Sequence, residues 1–218
     1  EPDGSVRHVP TRIESIGGRR SAVASSLTNS VYALVAHSAA FPDVENHWAK
    51  SEINGLASRL VVRGNDNGAF LPGASVTRAE FAAILTRALG LPERGGESGY
   101  ADVALNAWYA GAAAQARKYG LVEGDGQGRF RPSAAITREE AAVMLARAMK
   151  LTGLNNGAAA SESFVSEKLN GFRDAGDVSA WARQALAIGV SERLLQGNQA
   201  ALLPKNAITR AETAVIVS

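Results

Sequence analysis

The chain has 218 residues, enough for one or two domains with a sizeable core. Its 23 Lys and Arg against 21 Asp and Glu leave too little excess charge for a protein that coats nucleic acid. It has no cysteine, hence no disulfide framework and no thiolate metal site, and no run approaches the roughly 18 apolar residues of a membrane span.

Residues 1–40 differ in texture from the rest. Val6 to Val9, Arg12 to Ile16 and Ser21 to Ser25 alternate in part between polar and apolar, with the turn signals Gly17-Gly18 and Thr28-Asn29 between and after them. Two to four strands are expected, ending with Val31 to Val35, as the β-rich tail of an upstream module or a linker. The competing reading is a helix over Leu27–Ala40. Because it starts at Glu1 without Met, the chain reads as part of a longer one, and the missing targeting signal carries no information.

From Phe41 onward one unit occurs three times, over residues 41–91, 100–151 and 172–218. Trp48 to Gly64, Trp108 to Gly124 and Trp181 to Gly197 are each 16 positions. Pro72 to Thr77, Pro132 to Thr137 and Pro204 to Thr209 are each 5. Each unit predicts helix, Gly-punctuated loop, helix. The first helices are expected from Trp48 to about Leu60, over Trp108–Tyr119 and over Trp181–Ile188, with Gly120 and Gly189 as terminal glycines. In the second helix of the first copy, Phe81, Ile84, Leu85, Ala88 and Leu89 share one side. One such pair cannot bury its apolar face alone, so three must stack or close about a pseudo-threefold axis. The linkers are 92–99 and 152–171, the latter with a short helix expected near Glu162–Leu169 and Phe164 and Val165 inward. The third copy stops a turn or two early, which puts closure of the ring in question.

Every second helix opens on a capping box: Thr77 with Glu80, Thr137 with Glu140, Thr209 with Glu212. Local stability accounts for the Thr and the Glu but not for Arg78, Arg138 and Arg210 between them. A cation at the first helical position opposes the helix dipole by about 0.3–1 kcal/mol. Three such placements give the guanidinium another task, and beside helix N-terminal amides an anion is its natural partner. The bland alternative is pairing with the Glu of its own box.

Trp48, Trp108 and Trp181 read as core anchors, a role compatible with one indole face meeting a ligand. Asp43, Asp102 and Asp174 are expected to cap or turn the chain before the first helix. Gly64, Gly124 and Gly197 are expected to permit positive φ, with a backbone amide there able to face a ligand. No metal is expected. Asn65 to Gly68 and Gly124 to Gly128 lack the ligand spacing and closing Glu of an EF-hand, and His8, His37 and His47 form no i, i+4 pair. Glu80, Glu140 and Glu212 sit at equivalent capping positions rather than as two carboxyls flanking one sugar, so an enzyme is not expected.

Three copies of an F-x-D, W-A, G, F-x-P, T-R-A-E pattern over residues 41–218 resemble the triple S-layer homology domain of bacterial surface proteins. The resemblance implies a mainly α fold, three helix-loop-helix repeats in a pseudo-trimer with a central helix bundle and grooves between repeats. It implies non-covalent anchoring to the wall of a Gram-positive cell, outside the membrane, through the secondary cell wall polymer carrying pyruvylated N-acetylmannosamine. Arg78, Arg138 and Arg210 then become ligand residues, joined by the three Trp and the three loop Gly. It implies no cofactor, no nucleic acid, no membrane insertion, and a monomer with internal symmetry. The alternatives are a protein-packing module of a surface lattice and, further off, part of a wall hydrolase. Glu139, where the other boxes have Ala, is expected beside Arg138, shielding it or repelling an anionic sugar.

Overall fold

Gly17 and Gly18 both take positive φ (58° and 77°), the geometry of a tight hairpin turn. They fold β1 (Thr11–Ile16) back on β2 (Arg19–Ala24) in antiparallel register, with Thr11 opposite Ala24 and Ile16 opposite Arg19. The computed structural model describes residues 4, 6–28, 31–94, 96–154 and 161–218. Asn29 of the expected second turn lies outside these, as do residues 155–160 of the second linker. Residues 31–40 form neither a further strand nor a helix, and Val31 and Leu34 face solvent. An apolar stretch with no neighbour to cover it gains nothing from regular structure. Residues on both sides of the hairpin nevertheless touch the first repeat. His37 Nδ1 lies 2.8 Å from the Ser58 carbonyl, the Ala39 amide donates to Ser58 Oγ, and Arg7 donates to the Gly90 carbonyl.

Among the described residues seven α-helices follow: α1 (Lys50–Ser58), α2 (Arg78–Ala88), α3 (Ala110–Lys118), α4 (Arg138–Leu151), α5 (Glu162–Leu169), α6 (Arg183–Ser191) and α7 (Arg210–Val217). The short α5 has the bounds expected of it, capped by Ser161, with Val165 buried and Phe164 half-buried. At the same offset from each Trp, the first helix of every repeat ends in a left-handed residue: Leu60 (φ 62°), Gly120 (68°) and Arg193 (59°). Only the second repeat fills that position with glycine. Gly189, expected in this role, lies inside α6, where a Cβ would meet the Leu195 side chain at 2.6 Å.

The repeats interlock head to tail. α2 packs on α3, α4 on α6, and α7 returns to α1, while α2 also meets α4 and α7 at the centre. α7 is short, yet Ala211 and Ala214 are buried against Ile53, Leu56 and Ala57 of α1, so the ring closes. α2 is buried nearly all round rather than along one stripe, because three helices surround it.

At the axis stand Val76, Ile136 and Ile208, each fully buried one residue before a capping Thr. The Val76 amide donates to the Ile208 carbonyl (3.0 Å), that of Ile208 to Ile136 (3.1 Å), and that of Ile136 to Val76 (2.9 Å). This is a closed threefold cycle of backbone hydrogen bonds. No repeat can complete it alone, so it ties folding of each unit to the other two.

Candidate functional site

The site is built at the heads of α2, α4 and α7. All three capping boxes are complete: each Thr side chain accepts from the Glu amide, and each Glu carboxylate accepts from the Thr amide. The next amides are supplied from the neighbouring repeat. Arg78 N donates to Ala134 O and Ala79 N to Pro132 O, Arg138 N to Asn206 O and Glu139 N to Pro204 O, Arg210 N to Ala74 O and Ala211 N to Pro72 O. The row of free amides expected beside each Arg is therefore already occupied by carbonyls, and an anion here must be held by side chains.

The three guanidinium groups form a second cycle. Arg78 Nε donates to Phe130 O (2.8 Å) and Nη1 to Glu140 Oε1 (3.0 Å). Arg138 Nε donates to Leu202 O (2.9 Å) and Nη1 to Glu212 Oε1 (2.7 Å). Arg210 Nε donates to Phe70 O (2.7 Å), and its Nη1 lies 3.7 Å from Glu80 Oε1. Each Arg thus pairs with the capping Glu of the next repeat, not with that of its own box. The unfavourable dipole placement is offset by a charge-assisted clasp across the repeat boundary. Burial lowers the pKa of Arg78 and Arg210, opposed by the facing Glu140 and Glu80, and both remain cations at neutral pH.

The third guanidinium nitrogen reaches a carbonyl at one equivalent position in each repeat: Arg78 Nη2 to Glu123 O at 3.5 Å, Arg138 Nη2 to Gln196 O at 3.1 Å, Arg210 Nη2 to Arg63 O at 2.6 Å. Arg78 holds its carbonyl most loosely.

The other expected residues hold the loop that presents this carbonyl. Asp43 accepts from the amides of Phe70 and Leu71 (2.9 and 2.7 Å), Asp102 from Phe130 and Arg131 (both 2.7 Å), and Asp174 from Leu202 and Leu203 (both 2.8 Å). These aspartates therefore brace a distant loop of their own repeat rather than cap the following helix. The residues they seize, Leu71, Arg131 and Leu203, are left-handed (φ 60°, 58° and 54°) and precede proline, a conformation a non-glycine residue holds only under such constraint. The Phe70 amide, with that of Leu71, holds Asp43 below the usual carboxylate range against the effect of burial. At Asp174 burial raises the pKa, but the Leu202 and Leu203 amides outweigh it and the net shift is downward.

Gly64, Gly124 and Gly197 do not take positive φ. Their requirement is space. A Cβ would stand 2.7 Å from the Phe41 ring, 3.0 Å from the Tyr100 ring and 2.4 Å from the Phe172 ring, the aromatic residue that opens each repeat.

Trp48, Trp108 and Trp181 are not core anchors: they are 67%, 63% and 58% exposed. Three large indoles are thus left in water at equivalent positions, an exposure that the rest of the core does not share.

In the second repeat these parts meet. A groove of about 450 Å³ is lined by Arg78 of the first repeat, by Glu123, Gly124, Arg131, Glu140 and Arg147 of the second, and by Trp181 of the third. Glu140 Oε1 also accepts from Arg131 Nη2 (2.9 Å), and Arg147 Nη2 pairs with Glu123 Oε2 (2.8 Å). Arg131 and Arg147 escape a reading based on the repeat, because Arg131 replaces a Leu of the other copies and Arg147 lies on what periodicity shows as the outer face of α4. Glu139 makes no ion pair with Arg138, which turns to Glu212 instead. Glu139 is buried and turned to the third repeat, accepting from the Ser179 amide (3.1 Å), Ser179 Oγ (3.0 Å) and Lys205 Nζ (2.6 Å). A carboxylate needs donors when buried, and Lys205 supplies the matching charge.

Among the described residues no three His, Asp or Glu side chains gather as a metal site, and no helix is long and apolar enough to cross a membrane.

The S-layer homology domain matches residues 40–82, 99–142 and 171–214, one match per repeat. The chain is 33% identical over 212 residues to an amylopullulanase of Thermoanaerobacterium thermosulfurigenes, covering 94% of this chain and 11% of that protein. It is 36% identical over 175 residues to the surface-layer 125 kDa protein of Lysinibacillus sphaericus (78% and 14%), and 33% identical over 180 residues to the S-layer protein sap of Bacillus anthracis (82% and 21%). It thus spans less than a quarter of each of these relatives, some surface-layer proteins and some enzymes. The region shared by both kinds is a binding module rather than a catalytic one. The matches fall on the three clasped units just described, and the chain belongs to the S-layer homology domain family.

Proposed function

We propose that this domain holds its parent protein on the bacterial cell wall, without a covalent bond, by taking an anionic sugar of a wall polymer in the grooves between repeats. The ligand implied is the pyruvylated N-acetylmannosamine of a secondary cell wall polymer. The observation that carries this reading is the convergence of Arg78, the Gly124 loop and Trp181, from three different repeats, on one groove. A ketal carboxylate meets Arg78 at Nη2, whose 3.5 Å contact to the Glu123 carbonyl is the weakest of its three and the easiest to exchange. Arg131 adds a second donor, half exposed at the groove edge. The sugar ring lies on the open indole face of Trp181, and the amides of the loop meet its ring substituents. A sheltered charge-assisted contact of this kind contributes about 1.5–3 kcal/mol. The ring of repeats closes on itself, so the working form is the monomer.

Retention on purified wall sacculi tests the reading. The domain should bind intact sacculi and lose binding when the polymer is stripped by acid. Equal retention before and after stripping would point instead to protein packing in a surface lattice. Trp181→Ala is the informative variant, since the indole is exposed and its loss leaves the clasp untouched.

A further inference from the structure

Three side chains at the boundary between the second and third repeats depart together from the pattern of the other two boundaries. Glu139 stands where the other boxes have Ala79 and Ala211. Lys205, directly after Pro204, stands where the other loops have Gly73 and Ser133. Ser179, two positions before Trp181, stands where the other repeats have Asn46 and Asn106. These three meet in space. Glu139 Oε2 accepts from the Ser179 amide (3.1 Å), and Oε1 accepts from Ser179 Oγ (3.0 Å) and Lys205 Nζ (2.6 Å). Lys205 Nζ also donates to Ser179 Oγ, which closes the cluster. An alanine side chain accepts nothing, so neither other boundary can form it from these positions. Glu139 is only 3% exposed, and a carboxylate so deeply buried persists where its donors are fixed around it.

What the cluster holds is the turn that carries Trp181. Ser179 precedes the 3-10 turn Ala180–Ala182, and its carbonyl accepts from the Ala182 amide (2.9 Å), with Trp181 inside the loop so closed. Ala182 is fully buried. The turn is therefore anchored by packing at its end and by Glu139 at its start. The other two indoles are steadied by a ring next to them in the chain. Trp48 lies against His47 and Trp108 against Tyr109, with ring centroids 5.3 Å apart in both pairs. Trp181 has Ala180 and Ala182 on either side, and among the described residues it has no ring contact. Its indole nevertheless forms part of the groove wall with Arg78.

We propose that Glu139 is a positioning residue for this groove: through Ser179 it fixes the turn that presents Trp181, so the indole is ordered before a ligand arrives. A platform ordered in advance removes part of the entropy loss on binding. The effect on affinity rests on the reading of the groove as a sugar site, whereas the effect on the indole does not.

The test has two arms, both on the whole chain. In the first, without ligand, the heteronuclear NOE of the three Trp Nε–H signals is measured. Glu139→Ala should lower it for Trp181 and leave Trp48 and Trp108, the internal controls, unchanged. Glu139→Gln, which keeps an acceptor for Ser179 but no charge for Lys205, should fall between, and it carries the comparison should the Ala variant not fold. In the second arm a pyruvylated N-acetylmannosamine glycoside is titrated calorimetrically. Glu139→Ala should weaken binding about threefold or more, the scale of ordering one side chain. In a Trp181→Ala background the same change should alter affinity by less than about twofold, since Glu139 acts through the indole. A residue that merely supported the fold would weaken both backgrounds alike. An unaltered Trp181 signal in Glu139→Ala would overturn the proposal, as would unchanged affinity or an equal loss in both backgrounds. If the parent chain did not bind the glycoside, the sugar reading of the groove would fail, and the Trp181 signal would still decide whether Glu139 orders the turn.

Discussion

Arg78 and Glu140 lie 62 residues apart in sequence and 3.0 Å apart in space, and Glu140 divides its two oxygens between two tasks. Oε2 closes the capping box of its own helix on Thr137, while Oε1 receives Arg78 from the preceding repeat and Arg131 from its own. One carboxylate thus joins the start of α4 to the boundary with the first repeat. The same arrangement, turned through the repeats, gives Arg138 with Glu212 and Arg210 with Glu80.

The three clasps are not equally tight, and stability should rank them. Replacing Glu140 by Gln removes the charge that two guanidinium groups share and should cost about 1–3 kcal/mol, less than a fully buried pair because the site is partly wet. The same change at Glu80, whose Arg210 partner is 3.7 Å away, should cost less. Urea unfolding of the two variants side by side checks the order.

Gly124→Ala should destabilise by about 1–3 kcal/mol, because its methyl would be driven into the Tyr100 ring and the Arg129 carbonyl. The expected signature is partial rescue by Tyr100→Leu in the same background, read by thermal melting. Were the loop glycine needed for its backbone angles, shrinking the ring would not help.

Arg193 is exposed and left-handed at the end of α6, at the position the second repeat gives to Gly120. Arg193→Gly should therefore raise stability by about 0.5–1 kcal/mol, and Gly120→Ala should lower it by a similar amount. Both are measurable as opposite shifts in the urea midpoint.

The loop aspartates make the fold acid-sensitive. Asp43 and Asp174 have folded-state pKa values below those of the unfolded chain, since the pairs of backbone amides that they accept bind the ionised carboxylate more strongly than the acid. Their contribution is complete above the unfolded value near 4 and is lost as pH falls through the lower folded values. Stability should thus drop below about pH 4. In Asp43→Asn and Asp174→Asn that portion of the drop should be absent, and both should be less stable than the parent at pH 7.

Much of this architecture can be read from the chain. The three Thr-x-x-Glu boxes, the fixed Trp-to-Gly spacing and the helix pairs are local patterns, and the capped helices begin where those patterns place them. What lies between repeats is not legible in the same way. The Val76–Ile136–Ile208 cycle is made of backbone atoms and leaves only an apolar residue before each Thr. An Arg next to a Glu in sequence gives no sign that its partner is the equivalent Glu of another copy. The exposure of the indoles does not show in the sequence, because an apolar residue near a helix start fits a core pattern as well as an exposed one. Glu139 faces Ser179 and Lys205 because its side of α4 meets the third repeat, a relationship only the ring creates. In each case the deciding neighbour is tens of residues away.

The most direct test of the central claim is calorimetric titration of this chain, and of Trp181→Ala, with a pyruvylated N-acetylmannosamine glycoside and with the same glycoside lacking pyruvate. The contact at Arg78 predicts that the pyruvylated sugar binds roughly 10-fold or more tighter, as a contact above about 1.4 kcal/mol requires. Trp181→Ala should weaken binding while its melting temperature stays with the parent. Equal affinity for the two glycosides, or an unchanged affinity without the indole, would contradict the account.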